Sequence, residues 1–296
     1  MNVAAVGTFA YDPNGAFDFL AATAMATDTF SYTIEDPLGA ADSAVVTVTI
    51  TGLNDAPNAT NLTQSQTYIE DVASVALDDI VVTEPDVGDT ITATMTLTDT
   101  STGSLTASSG NGETYTPGTG IWTVAGSVTA VNAALAAAAF VPAANNVATS
   151  TITTHVEDAA VAGPTDGTIT LSVTAVNDEP SFTKGTDETV LEDAGAQTVN
   201  GWATALSKGP ADEAGQTLSF NITGNSNPGL FAVAPAVNAS GDLTYTPAID
   251  ANGSAVITLN IMDNGGTLNG GDDTSPDQTV TINVTAVNDE PSFTKG

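Results

Sequence analysis

The chain has 296 residues, with 35 acidic side chains against three basic ones and a formal net charge of -32 at pH 7. Such a field repels nucleic-acid phosphates and anionic membranes, and it draws in divalent cations. Cysteine is absent, which removes disulfides and thiol chemistry, and no apolar run approaches the roughly 20 residues of a membrane span.

In chain order, "MNVAAVG" has neither the basic start nor the apolar stretch of a signal peptide, so any export signal is expected outside this sequence. "FAYDPNG" at 9–15 reads as a strand running into a Pro and Asn turn. "FSYTIEDPLG" at 30–39 reads as a strand ending in an acidic turn at Asp36, and "SAVVTVTITG" at 43–52 as its partner. Alternation of β-branched with small polar residues marks a half-buried strand. That strand meets "NDAP" at 54–57, where Asn-Asp favours a turn and Pro cannot continue a central ladder.

The next stretch repeats this grammar. "TYIEDVA" at 67–73 opens it and "TEPDVGDTIT" at 83–92 places acids and Gly before a strand. "SVTAVNAALAAAAF" at 127–140 breaks the β pattern: Ser127 is an N-cap candidate, and Val131, Leu135 and Ala138 or Ala139 share a helical face. A strand is expected at Phe140, then "PAANN". "STITTHVEDAA" at 150–160 ends in acids, and "GTITLSVTAVNDEP" at 167–180 closes on the same punctuation.

A third passage follows. "SFTKG" at 181–185 begins it, with Phe182 as packing anchor, and "TVLEDAG" at 189–195 matches "TYIEDVA". "GPADEAGQTLSF" at 209–220, "LTYTPAIDANG" at 243–253 and "VITLNIMDNGG" at 256–266 complete the series. The glycine-rich 262–280 reads as a flexible crossover or a metal loop, and "NDEP" returns at 288–291 before a second "SFTKG", with Phe293 as anchor.

Asn54, Asn177 and Asn288 are therefore 123 and 111 residues apart, which suits whole β-sandwich domains. The expected organisation is a partial repeat at 1–57 (last strands only), complete sandwiches at 58–180 and 181–291, and the first strand of another at 292–296. The chain is expected to be a window on a longer tandem array. The fold class expected from these patterns is all-β: tandem β-sandwiches with one short helix in the second repeat.

On the Asn-Asp-x-Pro residues and their surroundings, 28–57 resembles the C-terminal half of the VCBS repeat of large bacterial surface proteins. The later repeats are similar to cadherin-like and immunoglobulin-like tandem domains of RTX-type adhesins. The Asn-Asp-x-Pro stretch is similar to the cadherin linker, shortened and without its leading Asp. The resemblance implies an extracellular or cell-surface location and a spacer role, with calcium stiffening the junctions.

Calcium takes six to eight oxygens, which carboxylates and Asn carbonyls supply. The candidates recur at the end, the beginning and one loop of each repeat. At the first junction they are Asn54, Asp55, Glu70, Asp71, Glu84, Asp86 and Asp89. At the second they are Asn177, Asp178, Glu192, Asp193, Asp212 and Glu213. At the last they are Asn288 and Asp289. The strand-end acids Asp36, Asp158 and Asp263 are further candidates, and Asp272 and Asp273 weaker ones. Against this stands the plain reading of each acid as a solvated turn residue.

Enzymatic readings find little to stand on. His155 is the only histidine, with Glu157 on its strand face but no nucleophile pattern. Zinc catalysis asks for more His or Cys ligands. Trp122 and Trp202 read as packing residues rather than sugar platforms. Two alternatives to the spacer remain: a module binding a glycan or peptide, which an exposed aromatic patch near Trp202 or the 264–278 loop would favour, and homotypic assembly through the first repeat. The partners expected are neighbouring repeats, a cell-surface glycan or protein reached through other domains, or a second copy, with neither nucleic acid nor membrane insertion.

Overall fold

The computed structural model describes residues 2–3, 9–291 and 293. The expected first strand at 292–296 lies outside the described residues apart from Phe293, which is 89% exposed. The chain divides into two compact units, Met1–Thr174 and Ala175–Gly296. Among the described residues, no helix is long and apolar enough to cross a membrane.

In unit 1 a short pair, Asn2–Val3 with Phe9–Ala10, precedes a long hairpin, Met25–Glu35 against Ala41–Thr51. Its register sets Phe30 opposite Val46 and Ala26 opposite Ile50, so one face is mainly apolar, with Asp28 and Asp42 on it, and the other is mainly Thr and Ser, with Val45 on it. These two strands form a sheet of their own. That leaves Ile34 and Val45 largely exposed, the condition in which a two-stranded ribbon is only marginally stable.

The sandwich of unit 1 follows. Its larger sheet has the order Thr114–Thr116, Ile121–Gly126, Ile91–Leu97, Ser150–Glu157, Gly167–Thr174, Gln64–Ile69. Every neighbouring pair is antiparallel except the last, where Gln64–Ile69 runs parallel to Gly167–Thr174. A three-stranded sheet, Gly103–Leu105, Ala139–Pro142, Val75–Ala76, faces it. Alternate residues of Ile91–Leu97 point inward, and Ile91, Ala93, Met95 and Leu97 join Trp122, Phe140, Ile152, Ile169 and Leu171 in one core.

The expected helix is present at Val128–Ala136, and the strand at Phe140 follows it. Ser127 accepts a hydrogen bond from the Ala130 amide at 3.3 Å, and Val131, Ala134 and Leu135 are its buried residues. Beside them, half-buried Asn132 clasps the Val82 backbone, accepting from its N–H at 2.8 Å and donating to its C=O at 2.9 Å. The helix thus completes the hydrogen bonding of strand Val81–Thr83, which pairs on its other side with Asn58–Thr60. We expect Ser127→Ala to cost about 1 kcal/mol, read as a lowered urea midpoint of unit 1; an unchanged midpoint would show that packing alone holds the helix.

Unit 2 repeats the plan. One sheet has the order Glu188–Leu191, Gln278–Thr285, Gly253–Met262, Ser219–Asn225, and again the early strand runs parallel to the last, Leu191 opposite Thr285. The other is Gln197–Val199, Leu243–Pro247, Phe231–Val237. Phe182 is the anchor expected of it: it is buried and packs edge-on against Phe220 with ring centroids 5.0 Å apart.

Candidate metal centres

The linker Asn-Asp pairs fold onto the sandwich that follows them in sequence. In unit 1, Asn54 Nδ2 donates to Asp158 Oδ2 at 2.8 Å and the Asp55 amide donates to Asp86 Oδ2 at 2.9 Å. In unit 2, Asn177 Nδ2 donates to Asp263 Oδ1 at 3.1 Å and the Asp178 amide donates to Glu213 Oε1 at 2.7 Å. The two constellations are alike: linker Asn to the strand-end acid, linker Asp amide to the loop acid. Asp86, Asp158, Glu213 and Asp263 are all buried.

Each constellation holds more negative charge than its donors satisfy. Asp86 Oδ1, Glu84 Oε2 and Glu213 Oε2 are buried with no hydrogen-bond partner, a costly state for carboxylate oxygens. Burial, then the charges of Asp86, Asp158 and Asp89, push the Glu84 carboxyl above its usual range despite the Asp86 amide. Burial, with Asp178, Asp212 and Asp263, does the same to Glu213. Burial alone would raise Asp158 too, but hydrogen bonds from Ala162, Asn54 and Ala160 outweigh it and hold that carboxyl low. Asp89 and Asp212 stand at the rims of these sites, Asp212 exposed. The donor sets are all-oxygen and anionic, the chemistry that a hard divalent cation requires.

The opening acid pairs lie elsewhere. Glu192 was expected beside Asn177 and Asp178. Instead its amide donates to Thr285 O at 2.9 Å, Oε1 accepts from the Val287 amide at 2.7 Å and Oε2 accepts from Asn252 Nδ2 at 2.9 Å. Asp193, Asp250 and Asp289 bring carboxylate oxygens within 4.8 Å of one another, all exposed. Partial desolvation and the charges of Asp250, Asp193 and Glu192 raise the Asp289 carboxyl. The reason is the parallel pairing: a strand parallel to the last strand ends where the last strand ends, so Glu192 and Asp193 meet the linker that leaves unit 2. Unit 1 matches this, with Glu70 donating its amide to Thr174 O at 3.0 Å and Asp71 accepting from Asn145. Asp71 and Asp193 share a left-handed backbone, as do Asn145 and Asp250.

Asp250 is the functional candidate that sequence reading missed. "PAIDANG" aligns with "PAANN", and that alignment was the available signal. Asn288 is exposed, donating to Asp289 O. Asp36 is exposed in a turn built like that of Asp158. Each Asp donates its amide to the carbonyl four residues on, and each Oδ1 accepts two turn amides.

His155 Nδ1 lies 2.6 Å from Asp166 Oδ1 and Nε2 lies 3.3 Å from Glu157 Oε2. The hydrogen bond to Asp166, then that to Glu157, raises its pKa against partial desolvation. Both ring nitrogens are engaged by carboxylates, an ion-pair arrangement on the strand surface. Trp122 and Trp202 are buried, each donating Nε1–H to a backbone carbonyl, Thr106 at 2.9 Å and Thr186 at 3.0 Å. The aromatic patch looked for near Trp202 therefore does not form around that residue.

The strand orders define the class: all-β, tandem immunoglobulin-like/cadherin-like sandwiches with one short helix. Residues 1–49 match the family model described as a bacterial Ig domain. No curated protein matches the chain. Among solved structures it is similar to human protocadherin-24 EC1-2, with 16% identity over 78% of this chain and 100% of that one and a TM-score of 0.45. It is similar to mouse cadherin-23 EC22-24, with 16% identity over 88% of this chain and 74% of that one and a TM-score of 0.36. The human desmocollin-1 ectodomain shares 15% identity over 89% of this chain but only 48% of its own length, with a TM-score of 0.37.

Proposed function

We propose that the chain is a non-enzymatic spacer segment of a bacterial surface adhesin of the VCBS/RTX kind, held outside the cell and stiffened by calcium where one sandwich follows another. The repeats are 58–180 and 181–291, with 1–57 the closing strands of a preceding one. A shared cation turns binding energy into fixed geometry, because carboxylates on successive elements repel until it neutralises them. Partners are then the neighbouring repeats, with a glycan or protein target engaged by other domains.

The observation that carries this reading is the duplicated constellation with its buried carboxylate oxygens lacking donors, Asp86 Oδ1 in one unit and Glu213 Oε2 in the other. Calorimetric titration of the whole chain with calcium tests it. Saturable uptake is expected with dissociation constants of about 10⁻⁴–10⁻³ M, the range of extracellular modules. A solution radius that tightens over the same range would accompany it. Absence of binding heat at 10⁻² M (roughly ten times the weaker limit) would dismiss calcium and leave a plain string of sandwiches.

A further inference from the structure

We infer that the linker entering unit 2 is latched to its sandwich by the loop Asp263–Ser275 through protein contacts alone, so that this attachment does not depend on a cation. Asn177 is the bolt. Its carbonyl accepts from the Asp272 amide at 2.9 Å. Its Nδ2 donates to Asp272 O at 2.6 Å and to Asp263 Oδ1 at 3.1 Å, and its Oδ1 accepts from Gln216 Nε2 at 2.6 Å. Both ends of the side-chain amide and the backbone carbonyl are therefore engaged.

The loop is shaped for this. It is pinned at its base, where the Asp263 amide donates to Asp273 O at 3.1 Å and the Ser275 amide to Ile261 O at 2.9 Å. A Cβ at Gly265 would overlap Asn177 Oδ1, and one at Gly271 would meet the Asn177 amide nitrogen at 3.0 Å. Glycine at these two positions is what lets the loop close on the linker, which accounts for a composition that by sequence reads as flexible. Among its described residues, unit 1 lacks the device. Its strand-end turn, Asp158–Ala162, is short, and Asn54 is held through the Asp158 carboxylate. The two linkers thus differ in how far they rely on neutralising their acids.

Hydrogen exchange on the whole chain, with excess chelator and again with calcium, tests the latch. In chelator the Asp272 amide is expected to exchange at least about 100-fold more slowly than an unstructured amide. Gly265→Ala is expected to remove about tenfold or more of that protection, the scale of losing one or two hydrogen bonds. The core amides of Gly253–Met262 report whether unit 2 stays folded; if that variant unfolds it, Asn177→Ala, which adds no bulk, gives the reading instead. An Asp272 amide that is unprotected in chelator, or protected only with calcium, overturns the inference, as does full protection in both variants. Calorimetry on the same sample decides calcium binding separately, so failure of the spacer reading and failure of the latch are distinguishable.

Discussion

On the proposed reading, saturating calcium is expected to raise the midpoint of thermal unfolding by about 5–15 °C against the same chain in chelator. A ligand that binds only the folded state stabilises it by RT ln(1 + [L]/Kd), about 1.4–2.7 kcal/mol per site at 10–100 times Kd. For a domain of this size 1 kcal/mol moves the midpoint by about 4–6 °C. Burial, and then the charges of neighbouring acids, raise the Glu84 and Glu213 carboxyls, and on the proposed reading a bound cation would offset both. The sites are separable: Asp86→Asn is expected to erase the gain of unit 1 and Glu213→Gln that of unit 2. In chelator neither variant is expected to lose more than about 1 kcal/mol, because each removes a buried charge whose second oxygen has no donor. A calcium gain that survives both substitutions would place the cation elsewhere.

Trp122→Ala is expected to destabilise unit 1 by about 3–5 kcal/mol. The side chain is fully buried at the centre of the larger core, and its loss also strands the Thr106 carbonyl that its Nε1–H satisfies at 2.9 Å. Against a typical total of about 5–15 kcal/mol for a domain, this brings the sandwich near the edge of stability. The chain has two tryptophans, so in this variant Trp202 alone reports, and it reports unit 2. Denaturation followed by circular dichroism should show an early transition that Trp202 fluorescence does not see. Coincident transitions at the wild-type midpoint would mean that the core repacks around the vacated space.

Local chemistry made much of the fold legible. Alternating Thr with Val or Ile marked the closing strands because a sheet with one buried face imposes that period. Ser127 and the alanine run marked the helix because capping and propensity are short-range. The linker Asn-Asp pairs, Asp86, Asp158, Glu213 and Asp263 were picked out from their recurrence, and the structure gathers them into two matching groups. Asp250 escaped because in unit 1 the same turn carries Asn145, so the recurrence of an acid was broken there.

The grouping of Glu192 and Asp193 was beyond local reading. Sequence order places them fifteen residues after Asn177 and nearly a hundred before Asp289, so nearness along the chain pointed to the wrong linker. Strand pairing decided otherwise: Leu191 lies opposite Thr285 in a parallel ladder, and the acids come to rest where the last strand leaves the sheet. The glycine-rich loop was undecided for the same reason, since only the folded chain brings Asn177 against Gly265 and Gly271. The sequence by itself determined the all-β class, the repeat, the helix and which residues carry the charge, because these follow from backbone preference and side-chain period. Which carboxylates face one another was decided by long-range pairing, whose partners are set by the packed sheets rather than by neighbours in the chain.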